Sequence, residues 1–334
     1  MFNLSTKAAL LAILRDNIGK QVSGSVLAQD IGVSRVAIWK CVRLLCTAGY
    51  PIETSDTGYM LGKERTGDYL YPWEFGGKES LFRHFETTGS TMDRARELAE
   101  RDFAAGTVVT ADRQSEGRGR CGKGWTSRLG GLYFTILDKP PLALADYFLS
   151  AMLYQIAAAR ALGSLCGKPA WLRWPNDICI NKQKIAGILT ELEGKGDTIS
   201  WLATGIGVNV NNPVPSGKAV SCAEVAGRLL SRREVLLKVL DEAERVKEET
   251  SSVMAYTQGN RLLASEWNSM AERLGARAAV LESSAGDSKG RLLARGVFSG
   301  VDPAGRCIIK TEDGKGTLYF NPGPVSIVFI GNEE

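Results

Sequence analysis

Hydrophobic residues at the start of the chain recur at helical spacing, and further on they give way to short strand-like runs. Leu10, Leu11 and Leu14 would lie on one face of a helix from Leu4 to about Asn17. Residues 23–30 form a second helical unit with small and apolar side chains. The beginning of the chain is therefore predicted to be helical.

A third helix is predicted from Arg35 to Ala48, with Ser34 as its cap. Ala28 is small enough to let two helices cross closely, Gly32 suits the turn between them, and Ile38 would pack the third helix on the second. This spacing is typical of a helix-turn-helix.

A β hairpin is predicted next, because two short runs, 51–54 and 59–61, flank the turn sequence Ser55-Asp56-Thr57-Gly58. Three helices followed by a hairpin make a winged helix-turn-helix. The outward-facing residues predicted to contact DNA are Ser34, Arg35, Lys40 and Arg43. A helical packing module with no role in DNA binding has the same spacing, so that alternative stays open.

The rest of the chain divides into a linker, a large α/β region and a β-rich end. We predict a multidomain α/β (α+β) protein with a winged helix-turn-helix at 1–63, a linker at 64–79, a central domain with a mixed sheet at 80–275 and a small β-barrel at 276–334. Aromatic residues expected to dock the linker on a domain are Tyr69, Tyr71, Trp73 and Phe75. The central region is predicted to have helices at 93–101, 142–162, 231–249 and 258–273 and strands at 107–111, 131–137, 171–174, 178–181, 185–193 and 199–210. Apolar runs at 278–281, 291–298, 306–310 and 325–330 predict four or five strands at the end.

Composition narrows the class of protein. The 334 residues are 44% hydrophobic and 23% charged, which is ordinary for a globular protein. No apolar run approaches the roughly 20 residues that span a bilayer, and no signal-peptide pattern precedes Lys7. We therefore expect a cytoplasmic protein without a membrane partner.

Cysteine and histidine usage argues against disulfides and against a metal centre. The seven cysteines include no Cys-x-x-Cys pair, which favours reduced thiols. His84 is the single histidine, so no protein-bound metal is predicted. The net charge of +4 at pH 7 is too small to indicate nucleic-acid binding by itself.

The segment from Gln114 to Trp125 is the strongest candidate for a ligand site. Between Gly117 and Gly124 it places four glycines, two arginines and a lysine, and Trp125 follows directly. Glycine permits close approach of the backbone, and arginine offers a planar fork of donors to phosphate or carboxylate oxygens. The segment lies between two strand-like runs, so an ordered anion site is favoured over a flexible linker or a nonspecific RNA-binding tail.

Four further groups of residues lie in the central region: Gly89-Ser90-Thr91-Met92-Asp93, Arg173-Trp174-Pro175-Asn176-Asp177, Lys184-Ile185-Ala186-Gly187-Ile188-Leu189-Thr190-Glu191 and Thr204-Gly205-Ile206-Gly207-Val208-Asn209. Each has a structural explanation as well. Ser90 and Thr91 suit a helix cap as well as a polar ligand, and the Trp-Pro-Asn-Asp segment suits a turn. The Gly-x-Gly of the fourth group is not a dinucleotide fingerprint, because no helix follows it directly.

Together these motifs resemble biotin protein ligase in both order and spacing. The amino-terminal winged helix-turn-helix and the β-rich end resemble the bifunctional bacterial form, which also represses biotin-synthesis genes. The resemblance covers nearly the whole chain and implies an SH3-like barrel at its end. It implies that ATP and biotin form biotinyl-5'-AMP and pyrophosphate, and that biotin then passes to a lysine of a biotin carboxyl carrier protein.

The resemblance also implies roles for individual residues. Lys184, Arg118 and Arg120 would supply the catalytic positive charge. The implied biotin- and ATP-binding residues are Ser90, Thr91, Met92, Gln114, Gly117, Arg118, Gly119, Arg120, Trp125, Asn176, Asp177, Lys184, Gly187 and Asn209. In this scheme Gly187 leaves room for the biotin bicycle and Trp125 and Asn209 neighbour the adenine. Whether Asp177 holds Mg²⁺ or orients Lys184 stays open.

The implied partners are the carrier protein, operator DNA and a second copy of the chain when biotinyl-AMP is bound. Two alternatives remain: a lipoate or other acyl-cofactor ligase of similar fold, and a biotin-sensing regulator without catalysis. A ligase that no longer binds DNA is a third.

The chain departs from the family pattern at several positions. Met92 stands where asparagine is usual and removes a polar contact, and Cys121 stands where arginine is usual and removes a positive charge. In the third helix, Trp39 replaces a polar residue, which favours packing over base recognition. The stretch 316–320 lacks the expected acidic ending, so contacts of the last domain are not predicted.

Overall fold

The computed structural model describes residues 4–62, 68–215, 217–251, 256–282, 290–312 and 316–330. Residues 64–67 of the predicted linker, and parts of the predicted first and last domains, lie outside this set. The chain forms two compact units, Met1–His84 and Phe85–Glu334.

The described residues of the first unit include three α-helices and a β hairpin. They are α1 (Thr6–Asp16), α2 (Gly24–Ile31), α3 (Arg35–Thr47), β1 (Ile52–Ser55) and β2 (Gly58–Leu61), with β1 and β2 antiparallel. Ser5, Ser23 and Ser34 each cap a helix by accepting a hydrogen bond from the N–H three residues on. Gly32 ends α2 in the left-handed conformation, and Ile38 is fully buried. The predicted helix-turn-helix is confirmed.

Aromatic residues that follow the hairpin pack on this helical core, as predicted for the linker. Tyr69 stacks on Tyr50 with ring centroids 4.1 Å apart, and Tyr71 stacks on Trp73 at 4.7 Å. Beneath them the buried carboxylate of Glu74 accepts hydrogen bonds from Arg15 and from the Tyr50 hydroxyl. This charged group is therefore satisfied inside an apolar setting, as burial requires.

The described residues from Phe82 onward include a seven-stranded sheet and five α-helices. The strands are β3 (Phe82–Thr88), β4 (Thr107–Gln114), β5 (Leu132–Asp138), β6 (Trp171–Arg173), β7 (Asp177–Ile180), β8 (Gln183–Lys195) and β9 (Thr198–Val208), in the order β3-β4-β5-β9-β8-β7-β6. The helices are α4 (Thr91–Ala99), α5 (Tyr147–Cys166), α6 (Cys222–Ala226), α7 (Arg232–Ser251) and α8 (Tyr256–Ser269). All pairs from β4 to β6 along the sheet are antiparallel.

The helices place the start of α4 beside the middle of the sheet. α4 packs on β4, β5 and β9, with Met92 and Ala95 buried against Val109, Leu137 and Ala203. α5 packs on β6 to β9 and on α7 and α8. The segment that precedes α4 therefore lies close to the ends of strands that come from distant parts of the sequence.

Helix α5 begins at Tyr147, five residues later than predicted, because Pro140 and Pro141 and a short 3-10 turn at Leu144–Asp146 precede it. By length and composition the segment Leu144–Cys166 could cross a membrane, which the sequence-based prediction had excluded. Its apolar window is 67% buried within the protein, as in the core helix of a folded domain.

The chain ends in a five-stranded antiparallel sheet. Its strands are β10 (Arg277–Glu282), β11 (Arg291–Val301), β12 (Cys307–Thr311), β13 (Thr317–Phe320) and β14 (Val325–Phe329), in the order β13-β12-β11-β10-β14. Val280, Phe298 and Ile309 fill its core. The Nε1 group of Trp174 donates to the carbonyl oxygen of Gly305, which ties this sheet to the central one.

Candidate functional site

A cavity of about 290 Å³ opens where the start of α4, the end of β4 and the middle of β8 and β9 meet. This is close to the lower end of the range of roughly 300–1,000 Å³ that ligand pockets occupy. The residues of the sequence-based site that line it are Ser90, Thr91, Met92, Gln114, Arg118, Gly119, Arg120, Trp125, Asn176, Asp177, Lys184 and Gly187. Gly117 and Asn209 do not line it.

One corner of the cavity is a network of hydroxyl and amide groups. Thr91 donates from its backbone N–H (2.8 Å) and its hydroxyl (3.1 Å) to Oε1 of Gln114, and the hydroxyl of Thr135 donates to that of Thr91 at 2.8 Å. Ser90 caps α4 by accepting from the N–H of Met92, and it also lines the cavity. The capping and ligand-facing interpretations of Ser90 are thus compatible.

Residues 114–127, here called the Gly-Arg hairpin, fold back on themselves. Gly119 donates to the carbonyl of Lys123 at 2.6 Å, and Trp125 donates to that of Gly117 at 2.8 Å. A single tight turn, Arg120–Gly122, reverses the chain. The N–H groups of Gly119 and Trp125 therefore form hydrogen bonds within the hairpin.

The two arms of this hairpin pack so closely that some positions require glycine. A Cβ atom on Gly117 would collide with the carbonyl oxygen of Trp125 and lie 2.6 Å from Oγ of Ser127. Gly122 has φ +72° at the turn, which glycine adopts readily, and Cys121 beside it has φ 55°. Cys121 therefore occupies a position that few residues with a side chain adopt.

The two arginines of the hairpin point to different partners. Arg118 contacts the carboxylates of Asp93 at 2.7 Å and Glu191 at 3.5 Å. Burial opposes its charge, but these carboxylates raise the pKa of Arg118 above its usual value. The guanidinium of Arg118 is thus held at the cavity by two anions.

Arg120 instead reaches the carboxyl-terminal sheet. Its guanidinium donates to the carbonyls of Pro322 (2.9 Å), Val325 (3.1 Å) and Gly323. Burial lowers the pKa of Arg120 from its usual value, although a group this basic stays charged at neutral pH. Val325, Ser326 and Ile327 line the cavity, so this contact joins the hairpin to another part of the cavity wall.

Lys184 provides the cation on the opposite wall. Its Nζ forms an ion pair with Oδ1 of Asp177 at 2.6 Å. The pairing register of β7 and β8 shifts between Ile178 and Cys179, and Cys179 is paired with Lys184 across the two strands. The carboxylate of Asp177 is therefore placed to orient the ammonium of Lys184.

Trp125 covers two glycines in the floor of the cavity. A Cβ atom on Gly187 would lie 3.0 Å from its indole ring, and one on Gly207 would lie 2.5 Å from it. The space above Gly187 is therefore filled by this ring. Its Nε1 group is buried without a hydrogen-bond partner in the described part of the chain, and Nζ of Lys184 lies 5.1 Å from the ring centre.

Asn209 and Met92 are buried residues whose side chains contact the surrounding protein. Asn209 is buried beyond the cavity, where its side chain accepts from Asn212 and its N–H donates to Ile185. Met92 is buried at the cavity wall, and its sulfur would lie 2.5 Å from a Cβ atom on Gly205. Gly205 thus makes room for the thioether of Met92.

Sequence reasoning missed several groups around the cavity. Ser127 and Thr135 belong to its hydrogen-bond network, and Asp93 and Glu191 pair with Arg118. Tyr133 also lines the cavity, and burial raises its pKa to about 12. Asp93 and Glu191 lay within the quoted motifs, but only the fold brings them to the same arginine.

No cluster of three His, Cys, Asp or Glu side chains that could hold a metal ion occurs among the described residues. The cavity carboxylate of Asp177 and those of Asp93 and Glu191 beside it already face Lys184 or Arg118.

The predicted DNA-contacting residues share the exposed side of the start and middle of α3. Arg35, Lys40 and Arg43 are exposed, and the hydroxyl of Ser34 accepts from the N–H of Ala37 as a cap. Trp39, for which packing was expected in place of base recognition, is 45% exposed and is not part of the buried core. The guanidinium of Arg43 lies over its ring, 4.9 Å from the centre.

Two family models match the chain, the biotin/lipoate A/B protein ligase family over residues 84–209 and a helix-turn-helix domain over residues 6–60. Among curated proteins, the bifunctional ligase/repressor BirA of Bacillus subtilis is 30% identical over 312 residues, which are 89% of this chain and 92% of that protein. The biotin–acetyl-CoA-carboxylase ligase of Paracoccus denitrificans is 30% identical over 260 residues, 73% of this chain and 98% of that protein.

Among solved structures, the biotin protein ligase of Aquifex aeolicus in complex with biotin and ATP aligns with a TM-score of 0.61 and 28% identity. The alignment covers 75% of this chain and 99% of that one.

Proposed function

Because the chain belongs to the family of bifunctional biotin ligase/repressors, we propose that it activates biotin with ATP and transfers it to a carrier protein. In the first step a biotin carboxylate oxygen forms a bond to the α-phosphorus of ATP, and pyrophosphate leaves. In the second step the amine of a carrier lysine attacks the acyl carbon of biotinyl-5'-AMP. An amide forms, AMP leaves and the amine loses a proton.

One observation best supports this proposal: two cationic side chains and a group of neutral polar side chains line the same cavity. Lys184 and Arg118 line it together with Ser90, Thr91 and Gln114. Joining a carboxylate to a triphosphate requires that two anions be held side by side, which fixed positive charge makes possible. The polar corner offers donors and acceptors that match a ureido group.

In this mechanism Asp177 orients the ammonium group of Lys184 toward the cavity. A substrate anion displaces a carboxylate from the guanidinium of Arg118 and forms the ion pair in its place. Arg120 supports the wall near Val325, since its guanidinium is engaged by carbonyl groups there. No side-chain nucleophile is required, because biotin supplies the attacking oxygen and the carrier supplies the amine. Alignment and exclusion of water are the contributions of the protein.

We assign Mg²⁺ to the phosphates of ATP rather than to a site within the protein. Mg²⁺ commonly binds substrate phosphates with few protein ligands, and the described residues offer no ligand cluster of their own. The ion neutralises phosphate charge when it is bound.

The repressor role rests on the first unit. We propose that its helix-turn-helix and hairpin form a winged DNA-binding domain for the operator of biotin-synthesis genes, with Arg35, Lys40 and Arg43 facing DNA. We further propose that the chain dimerises when biotinyl-AMP is bound, that its last sheet is an SH3-like barrel, and that it works in the cytoplasm.

The direct test of the catalytic role is transfer of labelled biotin to a purified carrier domain in the presence of ATP. We expect label on the carrier lysine only when ATP and biotin are both present. Label from lipoate or octanoate but not from biotin would favour an acyl-cofactor ligase. Tight biotin binding without label would favour a regulator that does not catalyse.

A further inference from the structure

Ser127 is a buried polar residue beside the cavity that the proposed mechanism does not use. It stands at the foot of the Gly-Arg hairpin, is 8% exposed, and does not line the cavity. A buried hydroxyl is costly unless both its donor and its acceptor functions are satisfied.

Both functions of Ser127 are satisfied by groups that shape the ligand site. Its Oγ accepts from Nε2 of Gln114 at 2.8 Å and donates to the carbonyl of Trp125 at 3.2 Å. It thereby connects the cavity-lining amide of Gln114 to the returning side of the hairpin.

This contact decides which way the amide of Gln114 faces. Oε1 already accepts two hydrogen bonds from Thr91, so the orientation with Nε2 toward Ser127 satisfies both ends of the amide. The flipped amide would place NH₂ against the N–H of Thr91, where two donors would face each other. Ser127 and Thr91 together hold one orientation.

The same hydroxyl, together with the carbonyl oxygen of Trp125, leaves no room for a side chain at position 117. A Cβ atom there would lie 2.6 Å from Oγ of Ser127 and 3.1 Å from Nε2 of Gln114. The close approach of Gly117, Gln114 and Ser127 forms a compact joint at the base of the hairpin.

We propose that Ser127 is a positioning residue for biotin recognition: it fixes the orientation of the Gln114 amide and joins it to the Gly-Arg hairpin. The inference rests on the proposed biotin-ligase function. Ser127 acts through Gln114, so its removal affects ligand binding more than the chemical step.

The test measures biotin-dependent ATP–pyrophosphate exchange in the full chain. Ser127→Ala is expected to raise KM for biotin about tenfold and to change kcat by less than about threefold, because the half-buried Nε2 group of Gln114 loses its acceptor. Ser127→Thr, which restores a hydroxyl, is expected to recover most of the affinity. Ser115→Ala is the matched control, since Ser115 is an exposed serine of the same hairpin whose hydroxyl faces Thr88.

A double-mutant cycle separates positioning from general destabilisation. If Ser127 acts through Gln114, adding Ser127→Ala to Gln114→Ala changes KM little further. Equal KM values for wild type and Ser127→Ala, or additive effects in the double mutant, would overturn the inference. Absence of biotin-dependent exchange in the wild type would instead overturn the proposed function.

Discussion

Single residues around the cavity are constrained by their neighbours as much as by a ligand. Gly207 and Gly187 make room for the indole of Trp125, and Gly205 makes room for Met92. The motif glycines are thus needed for packing at the cavity wall. A ligand that enters between Trp125 and the sheet must displace this ring.

Cys121 is the residue that most directly reports occupancy of the cavity. It lines the cavity and is partly exposed. Cys179 and Cys307 are buried, which raises the pKa of each thiol to about 12 and keeps it protonated at pH 8. Alkylating reagents are therefore expected to spare these two cysteines in the folded protein.

We predict that biotin together with a non-hydrolysable ATP analogue slows alkylation of Cys121. When each ligand is present at about ten times its Kd, only about a tenth of the sites stay free, so alkylation of Cys121 slows about tenfold. Peptide mass spectrometry measures the rate, and the exposed Cys46 is the internal control. Equal slowing at Cys46, or none at Cys121, would show that the cavity is not the ligand site.

At the level of elements, helix α3 presents an unusually apolar outer face. Val36 is 60% exposed and Trp39 45% exposed, among exposed basic residues and with no acidic residue in the helix. If α3 enters the major groove, these side chains suit the methyl groups of thymine.

This face predicts sensitivity to the thymine methyl group. For DNA selected by the protein from a random library, replacing contacted thymine by uracil is expected to weaken binding about fourfold per methyl group. The Val36→Ser variant should lose part of the sensitivity to the thymine methyl group. The Lys40→Ala variant should bind all sequences more weakly and should retain that sensitivity. If binding to the selected DNA does not change when thymine is replaced by uracil, this role for α3 is contradicted.

Local pattern was sufficient for most elements but not for the tertiary contacts. The three helices and hairpin of the first unit follow from caps and periodicity. Strand β3 and helix α6 were missed, because Phe82–Thr88 includes charged residues and Cys222–Ala226 is a single short turn. β13 was missed since its residues 317–319 are exposed and do not alternate in burial.

The candidate site was predictable in its motifs and unpredictable in its contacts. Motif order pointed to Lys184, Arg118 and Gln114, and all three line one cavity. That Arg120 would turn to the carboxyl-terminal sheet could not be predicted, because it depends on a contact across about two hundred residues of sequence. Hydrogen bonds through Ser127 depend on the fold in the same way.

At the scale of the whole molecule, the fold gathers positive charge from separate segments into one cavity. Arg118 comes from the hairpin and Lys184 from β8, and the last sheet supplies Val325 to the wall. The catalytic proposal needs this arrangement to neutralise two anions while they react.

Biotin-dependent exchange of labelled pyrophosphate into ATP, compared between wild type, Lys184→Ala and Lys195→Ala, tests this claim most directly. Lys195 is an exposed lysine at the end of the same strand and serves as the control. We predict exchange with biotin in the wild type and in Lys195→Ala, and a loss of about 100-fold or more in Lys184→Ala with its circular dichroism unchanged. Near-wild-type exchange in Lys184→Ala would contradict the account.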